Sequence, residues 1–585
     1  MTDLNQLKVY RPSLDYIDDG KEHGVLSKFE PGTRILPKGY QVSDKFKPLD
    51  CDIVFEKDVP IKLRDGVTIY ADVFRPNTNE KVPVIMAWSP YGKSAGTAPR
   101  YENIFGIIGL KNNIVSGLEK FEGPDPAYWC QQGYAICNPD ERGIAHSEGD
   151  ASMIGTQEGR DSYDVIEWLA AQSWCTGKVA MSGTSYLAFS QWFIAAEQPP
   201  HLAAINPTEG LSDGYRDMAM RGGIPDEDFV RRIQANHVNV DDNQHEDVTA
   251  EMKKYPLINH PVWQDKIVKF DQIQVPTYLV ASYGNTLHTN GTFRAWRQMG
   301  SKQKWLRIHN SQEWPDYYDA MNTEDRKRFF DYFLKDVQNG WEETPKVRYA
   351  MLDMAGGDET NIAGDEFPPS YVDYQKFHLD GVTRELRDQV TKKDVSVTYT
   401  PEMGPGKASF IKQFSQRTEM IGYPKVHLNV QAKDADDMEL FVVMQKLDQY
   451  GNQLSEFVVP NHGAMMHDFT DNGGTVMKYK GPDGRLRVSV RHLDEAQSTD
   501  AIPVHSFDRV EKLSPNEVVP VDIVLMPMGM VFNPGEQLRL VISAKNEAGS
   551  IVPWSVAYES KNKGRQVIHC GGEYDSYLQV PVKLG

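Results

Sequence analysis

Residues 177–188 read Gly177-Lys178-Val179-Ala180-Met181-Ser182-Gly183-Thr184-Ser185-Tyr186-Leu187-Ala188. The pattern predicts a short apolar strand that runs into a helix through a tight turn, with a serine at the tip of the turn. Such a turn lifts the serine hydroxyl out of the sheet and points the first N–H groups of the helix at whatever the serine attacks. A bare Gly-x-Ser turn also occurs by chance. The surrounding segments lead us to predict that Ser185 is a nucleophile.

These segments indicate a parallel sheet with helices between its strands. Residues 161–170 place apolar side chains on one helical face, and residues 172–177 form a loop into the strand. Helix, loop, strand, turn and helix thus follow in the order that a parallel sheet requires. An Asp65-Gly66 turn also predicts a hairpin. Further buried strands are predicted at residues 82–88, 134–138, 202–207, 275–281 and 304–309.

Changes of pattern divide the chain into five segments. Residues 1–50 are polar and proline-containing, which predicts an extended arm that wraps the body or becomes ordered on another subunit. Residues 51–207 and 272–343 carry the predicted sheet, and the charged, helical residues 208–271 between them predict a cap over the site. Short alternating runs from residue 344 to 585, such as residues 486–490, predict a β-sandwich. The predicted fold class is therefore α/β with a helical cap and a C-terminal β-sandwich.

Composition excludes several classes of function. A formal net charge of -19 argues against a nucleic-acid or anionic-membrane partner, because phosphates would not be neutralised. The five cysteines lack Cys-x-x-Cys spacing, so neither a disulfide framework nor a thiolate zinc site is indicated. The N-terminal residues lack the basic flank and apolar core of a signal peptide, and no apolar run has the length of a membrane span. We therefore expect a cytoplasmic protein that needs neither a cofactor nor a metal.

Several further motifs occur together with the serine turn. They are Asp65-Gly66-Val67 with Ala71-Asp72-Val73, Pro90-Tyr91, Gly133-Tyr134 through Asp140-Glu141-Arg142-Gly143, Glu167-Trp168-Leu169, and Val531-Phe532-Asn533-Pro534-Gly535-Glu536. With them, roughly residues 52–585 resemble the X-Pro dipeptidyl-peptidase and cocaine-esterase-like (CocE/NonD) family of serine hydrolases. The resemblance implies an α/β-hydrolase domain, a helical cap and a jelly-roll-like C-terminal domain.

The resemblance also implies a reaction and a set of site residues. Ser185 would attack the carbonyl of an ester or amide of a small acyl substrate and form an acyl-serine. The backbone N–H of Tyr186 and the hydroxyl of Tyr91 would hold the oxyanion.

Two positions depart from the family pattern. That pattern has an Asp after the strand at 275–281 and a His after the strand at 304–309, where this sequence has Gly284 and Glu313. A serine hydroxyl is a weak nucleophile unless a neighbour removes its proton. Either Glu313 is the base with His288 as its partner, or His288 is the base and Glu313 orients it. In the third explanation no proton is abstracted from Ser185.

Two hypotheses for the function therefore stand. The first is a serine hydrolase with a non-standard base. The second is a lyase, cyclase or acyltransferase of small-molecule metabolism, or a ligand-binding pseudo-hydrolase, on the same fold. The N-terminal arm is compatible with a homodimer or larger homo-oligomer. His237, His245 and His260 of the predicted cap could reach the pocket, but no spacing supports a role for them, and we expect His462 and His467 to lie in loops of the sandwich.

Overall fold

The computed structural model describes residues 4–12, 28–94, 110, 112–235, 239, 243–354, 357–457, 478–549 and 558–584. Its strands are β1 (Tyr10–Pro12), β2 (Gly32–Leu36), β3 (Ile53–Lys62), β4 (Thr68–Pro76), β5 (Val82–Met86), β6 (Ala135–Pro139), β7 (Cys175–Thr184), β8 (Leu202–Thr208), β9 (Met220–Arg221), β10 (Ile224–Pro225), β11 (Gln244–Glu246), β12 (Thr277–Ser282), β13 (Lys304–His309), β14 (Val347–Met351), β15 (Glu359–Gly364), β16 (Val372–Leu379), β17 (Leu386–Arg387), β18 (Val395–Tyr399), β19 (Lys407–Gln413), β20 (Thr418–Gly422), β21 (Lys425–Ala432), β22 (Glu439–Leu447), β23 (Glu456–Phe457), β24 (Lys478–Tyr479), β25 (Asp483–Arg487), β26 (Val519–Val524), β27 (Met528–Phe532), β28 (Gln537–Ser543), β29 (Gln566–Cys570) and β30 (Tyr577–Lys583). The α-helices are α1 (Pro126–Gln131), α2 (Thr156–Ala170), α3 (Tyr186–Ala196), α4 (Glu227–Gln234), α5 (Val248–Lys254), α6 (Pro261–Gln264), α7 (Thr289–Gln298), α8 (Glu313–Tyr318) and α9 (Ala320–Lys335).

An eleven-stranded mixed sheet forms the core of the first half of the chain, in the order β15-β14-β13-β12-β8-β7-β5-β6-β4-β3-β2. The strands from β14 to β6 pair in parallel, and the outer strands pair antiparallel. All five residues of β5 are buried, as expected of a central strand covered on both faces. The predicted parallel strands and the β3–β4 hairpin are confirmed. The carboxyl ends of β5, β7, β12 and β13 meet at one edge, where ligands gather in sheets of this kind.

The segment between β8 and β12 covers that edge. It holds helices α4, α5 and α6, a π-helical turn at Gly214–Ala219 and the small β9–β10 ladder. Helix α4 buries Phe229 and Val230, while Arg231 and Arg232 lie on its outer face and pair with Asp228. The N-terminal strand β1 pairs with β11 of this cap, and β2 extends the main sheet. Both pairings place the N-terminal residues on the body of the same chain.

The second half of the chain is a β-sandwich of antiparallel strands. One sheet has nine strands around β30 and β21, and the facing sheet has the order β19-β28-β22-β25. The sequence predicted a strand through Val490, but β25 ends at Arg487 and Val488–Val490 form a 3₁₀ turn. The sandwich packs against the domain of the main sheet through β27, where the N–H of Leu352 donates to the carbonyl of Gly529 at 2.9 Å.

Two further observations concern disulfides and membrane spans. All five cysteines are free thiols, four of them buried and Cys51 half-buried. Within the described ranges, the helices lack the combination of length and apolar character needed to cross a bilayer.

Candidate active site

Ser185 stands at a sharp turn between β7 and α3. Its φ of 60° and ψ of -119° lie in a region that costs a non-glycine residue about 1–3 kcal/mol. The turn is held by the Ser185 N–H, which donates to the carbonyls of Thr208 and Glu209, both at 3.1 Å. Gly183 permits the close approach of the helix, since a Cβ there would lie 2.4 Å from the Cβ of Leu187. The geometry is that of a nucleophile presented above the sheet.

His288 lies next to the Ser185 hydroxyl. Its Nε2 atom is 3.2 Å from Ser185 Oγ, and the imidazole is buried. The residue follows the carboxyl end of β12 and immediately precedes α7. This part of the chain comes directly after the position where the family pattern has an Asp.

Glu313 lies on the far side of the imidazole. Its Oε2 atom is 2.8 Å from Nδ1 of His288, and its carboxylate is buried at the start of α8. Burial raises the pKa of Glu313 above its usual value, although the adjacent His288 opposes this shift. The order Ser185–His288–Glu313 is thus a nucleophile, an imidazole and a carboxylate in hydrogen-bond contact.

Asn285 fixes this arrangement and was not singled out from the sequence. Its side-chain N–H donates to Glu313 Oε2, while its Oδ1 accepts the N–H groups of Leu287 at 3.1 Å and His288 at 3.3 Å. Since an ionised carboxylate can only accept, the hydrogen bond between His288 Nδ1 and Glu313 Oε2 is donated by Nδ1. Nε2 is then the acceptor that faces the Ser185 hydroxyl.

Tyr91 and Tyr186 border the same small cavity as Ser185. Their ring centroids are 5.9 Å apart, and Tyr91 follows the carboxyl end of β5. Tyr186 is the first residue of α3, so its N–H has no acceptor within the helix. The Tyr186 hydroxyl donates to Glu158 of α2 at 3.3 Å.

The cavity beside Ser185 is small and apolar. Its volume is about 20 Å³, close to that of one water molecule. Apart from Ser185, His288 and the two tyrosines, its lining consists of Met153, Ile154, Phe189, Leu211, Met218, Phe229, Ile233 and Leu287. Several of these side chains belong to the cap, so the cap closes over the hydroxyl.

Two other buried carboxyl groups lie near Glu313. Glu209 pairs with His309 at 2.6 Å and accepts a hydrogen bond from Ser282 at 3.1 Å. Glu122 accepts a hydrogen bond from the Trp314 indole at 2.8 Å, and burial together with the charge of Glu313 raises the pKa of Glu122 well above its usual value. These carboxyl groups could not be assigned from the sequence, because only the folded loops bring them together.

The cluster also offers a geometric metal site. One ligand atom each from Glu209, His288 and Glu313 lies within 4.8 Å of the others. Ligand atoms around a tetrahedral zinc ion are about 3.3 Å apart, given metal–ligand distances of about 2.0 Å. The 2.8 Å contact between His288 and Glu313 therefore fits a hydrogen bond better than a shared ion.

Other histidines of the described chain lie on different elements. His309 is held by Glu209, His245 lies in β11, and His260 caps α6 by accepting the N–H of Val262 at 3.4 Å. His237, His462 and His467 fall outside the described residues.

Comparison with known proteins agrees with this architecture. Residues 65–312 match the family model of the X-Pro dipeptidyl-peptidase (S15 family), and residues 339–579 match that of the X-Pro dipeptidyl-peptidase C-terminal non-catalytic domain. The chain is 33% identical to a CocE/NonD family hydrolase from Staphylococcus aureus, with a TM-score of 0.85 over 95% of this chain and 97% of that one.

Two curated relatives match over different lengths. Cocaine esterase of Rhodococcus sp. (strain MB1 Bresler) is 31% identical over 159 residues, which are 27% of this chain and only 24% of that enzyme. The Xaa-Pro dipeptidyl-peptidase of Streptococcus gordonii is 23% identical over 571 residues, with 81% of this chain and 71% of that enzyme covered. The fold, the serine turn and these matches together place the chain in the CocE/NonD family of serine hydrolases.

Proposed function

We propose that this hydrolase cleaves an ester or amide of a small, uncharged acyl group through an acyl intermediate on Ser185, with His288 as the base and Glu313 as the group that orients it. The observation that carries the proposal is the pair of contacts of the imidazole, 3.2 Å to Ser185 Oγ and 2.8 Å to Glu313 Oε2. Of the two relays compatible with the sequence, these contacts favour the one with His288 in the middle.

The first step is attack by the serine. The Ser185 hydroxyl gives its proton to Nε2 of His288 as Oγ bonds to the substrate carbonyl, and Glu313 stabilises the imidazolium. The oxyanion would be held by the N–H of Tyr186 and the hydroxyl of Tyr91, each worth about 3–4 kcal/mol in the transition state. His288 then protonates the leaving group, and the acyl-serine remains.

The second step hydrolyses the acyl-serine and regenerates the free serine. Water gives a proton to Nε2 and attacks the acyl carbonyl, the same two donors hold the oxyanion, and Ser185 recovers its proton as the acid leaves.

The cavity lining supports an uncharged acyl group. The side chains around Ser185 are apolar or aromatic, and the lining as described contains neither a carboxylate nor a second basic group besides His288. A substrate with a free ammonium group would find no counter-ion there, which makes its burial costly. The cavity holds about 20 Å³, so the acyl group must displace cap side chains such as Met218 and Phe229.

Labelling and kinetics test the proposal. We expect a fluorophosphonate probe to label the wild-type chain but not Ser185→Ala, and to label His288→Ala very weakly. With p-nitrophenyl esters, His288→Ala should lower kcat by a factor of about a million, and Glu313→Gln by about ten-thousandfold. His201→Ala is the matched control, because His201 is an exposed histidine that also pairs with a glutamate, Glu167, at 2.7 Å.

Two results would contradict the proposal. An unlabelled wild-type chain would favour a non-hydrolytic or ligand-binding role for the site. Faster cleavage of a dipeptide anilide with a free N-terminus than of p-nitrophenyl acetate would contradict the proposed acyl group.

A further inference from the structure

A second cavity lies between the cap, helix α7 and the β-sandwich. Its volume is about 190 Å³, and it shares no lining residue with the cavity beside Ser185. Five arginines border it: Arg216, Arg221, Arg294 and Arg297 from the first half of the chain, and Arg485 from β25 of the sandwich. We call it the arginine cavity.

Two of these arginines are paired with carboxylates at hydrogen-bond distance. Arg216 bonds to Asp213 at 2.7 Å, and Arg294 bonds to Asp217 at 2.6 Å. Their charges are therefore balanced within the protein.

Arg221 and Arg485 are paired less closely, and both are paired with the same carboxylate, that of Asp226. The distances from their Nη1 atoms to Asp226 Oδ2 are 3.6 and 3.9 Å, which are too long for hydrogen bonds. Their side chains are only 7% and 8% exposed. Within the described chain Nη1 of Arg221 has no hydrogen-bond partner, although its Nη2 donates to the carbonyl of Thr286. Buried guanidinium donors without acceptors are costly.

The remaining groups of the cavity do not cancel this charge. Burial lowers the pKa of His505 to about 4, so its imidazole is neutral at pH 7. Burial also raises the pKa of Asp483, although the neighbouring Arg485 and Arg221 oppose this shift. Arg297, exposed at the mouth, lies 4.9 Å from the centre of the Tyr423 ring. The cavity thus has more positive than negative charge, and burial together with the neighbouring Arg221 lowers the pKa of Arg485 to about 10.

We propose that the arginine cavity binds a small oxyanion, a phosphate or carboxylate group, between Arg221 of the cap and Arg485 of the sandwich. Guanidinium groups recognise such groups through pairs of parallel hydrogen bonds. The oxyanion supplies an acceptor for Nη1 of Arg221 and a closer counter-charge for Arg485 than Asp226 at 3.9 Å, and 190 Å³ accommodates it with several waters.

The site would join two domains and touch a third element. The cap and the sandwich already meet here, where the N–H of Arg487 donates to the carbonyl of Gly222 at 2.8 Å. Arg221 also donates to the carbonyl of Thr286 at 2.6 Å, two residues before His288. The side chain of Arg221 would therefore link the bound anion to the loop that carries His288.

Titration of the full-length protein tests the proposal without any substrate, so its outcome is independent of the proposed hydrolysis. Inorganic phosphate and, separately, malonate are titrated by calorimetry against sodium chloride of matched ionic strength, and Tm is followed in parallel. We expect saturable binding of one anion per chain, with a Tm that rises with phosphate or malonate concentration. Binding of only one of the two decides between a phosphate and a carboxylate group.

Variants locate the site. Arg485→Met should weaken binding by about tenfold to a hundredfold, the loss expected for charge-assisted hydrogen bonds, without lowering the Tm of the anion-free protein. Arg485→Lys keeps the charge but not the paired donors, so it should fall between, and it carries the test if Arg485→Met does not fold. Arg417→Met, which removes a half-exposed sandwich arginine paired with Glu359 and Glu419, is the control and should bind like wild type. Equal effects of chloride and phosphate on Tm, or equal loss of binding in Arg485→Met and Arg417→Met, would overturn the proposal.

Discussion

At the scale of single residues, the imidazole of His288 reaches Ser185 from a loop where the family pattern supplies the acid. The strands β12 and β13 explain why this is possible. They are neighbours in parallel register, with Ser282 opposite His309, so the loops that follow them open into the same space. A relay needs its atoms at given distances, whichever of the two loops carries which group. His288 and Glu313 satisfy those distances, and in the proposed mechanism their roles are exchanged relative to the pattern that the resemblance implies.

The hydroxyl of Tyr91 gives a prediction at this scale. Tyr91→Phe removes one proposed oxyanion donor but keeps the ring that packs against Tyr186 and Phe121. We expect kcat for p-nitrophenyl acetate to fall by about a hundredfold to a thousandfold with little change in KM, because the donor acts on charge that appears in the transition state. As a control for folding, the stability of Tyr91→Phe, followed by fluorescence, should equal that of the wild type. An unchanged kcat would assign the oxyanion to other donors.

The sequence predicted which residues form this site better than it predicted the hydrogen bonds between them. Ser185 follows from the strand–turn–helix pattern, and the departures at positions 284 and 313 directed attention to His288 and Glu313. The order of the relay could not be predicted, because it depends on how the loop from Tyr283 to His288 folds, and Asn285 holds that loop through contacts between distant residues. The partners Glu209 and Glu122 left no signal in the spacing for the same reason.

At the scale of elements, the turn between β7 and α3 sets where the nucleophile stands. Hydrophobic runs and turn residues predicted the strands around it well, since buried parallel strands are continuous apolar segments. Their ends were less predictable, as the 3₁₀ turn at Val488–Val490 illustrates. Within the serine turn, Gly183 has a φ of 154° and no space for a side chain.

Gly183→Ala tests the importance of this close approach. Its new Cβ would lie 2.4 Å from Leu187 Cβ, so the first turn of α3 must shift. We expect the free energy of unfolding to fall by about 2–4 kcal/mol, from backbone strain and overpacking together. Gly32→Ala is the control, because nothing lies within 4 Å of its Cβ, and it should change stability by less than about 0.5 kcal/mol. Equal stabilities of the two variants, measured by urea unfolding, would show that α3 adapts freely.

At the scale of the whole molecule, a buried charge cluster ties the N-terminal residues to the cap. Glu246 of β11 pairs with Lys266 at 2.7 Å and with Lys8 at 3.5 Å, and the three side chains are at most 1% exposed. Burial opposes ionisation of Glu246, but the two lysines outweigh it and lower its pKa to about 2. The cap is therefore held to the start of the chain by a carboxylate that must stay ionised.

This cluster predicts how stability depends on pH. The pKa of Glu246 is lower in the folded than in the unfolded chain, where it is about 4.5, so the folded state gains about 3 kcal/mol above that pH. The gain is lost progressively as the pH falls from about 4.5 towards 2. Glu246→Gln should lower Tm at pH 7, because two buried lysines lose their partner, and should make Tm fall less steeply in acid. Glu495→Gln, at an exposed position, should follow the wild-type curve, and a Glu246→Gln curve parallel to wild type would contradict the assignment.

The same junction between β1 and the cap has a consequence for how the protein is made. Val9 donates its N–H to Glu251, a residue 242 positions further along the chain. At a synthesis rate of about 5–20 residues per second, the ribosome delivers that partner roughly 12–50 s after Val9. Strand β1 must therefore wait for its partner strand while the strands up to β8 emerge. The cap over Ser185 can close only after translation has passed β11.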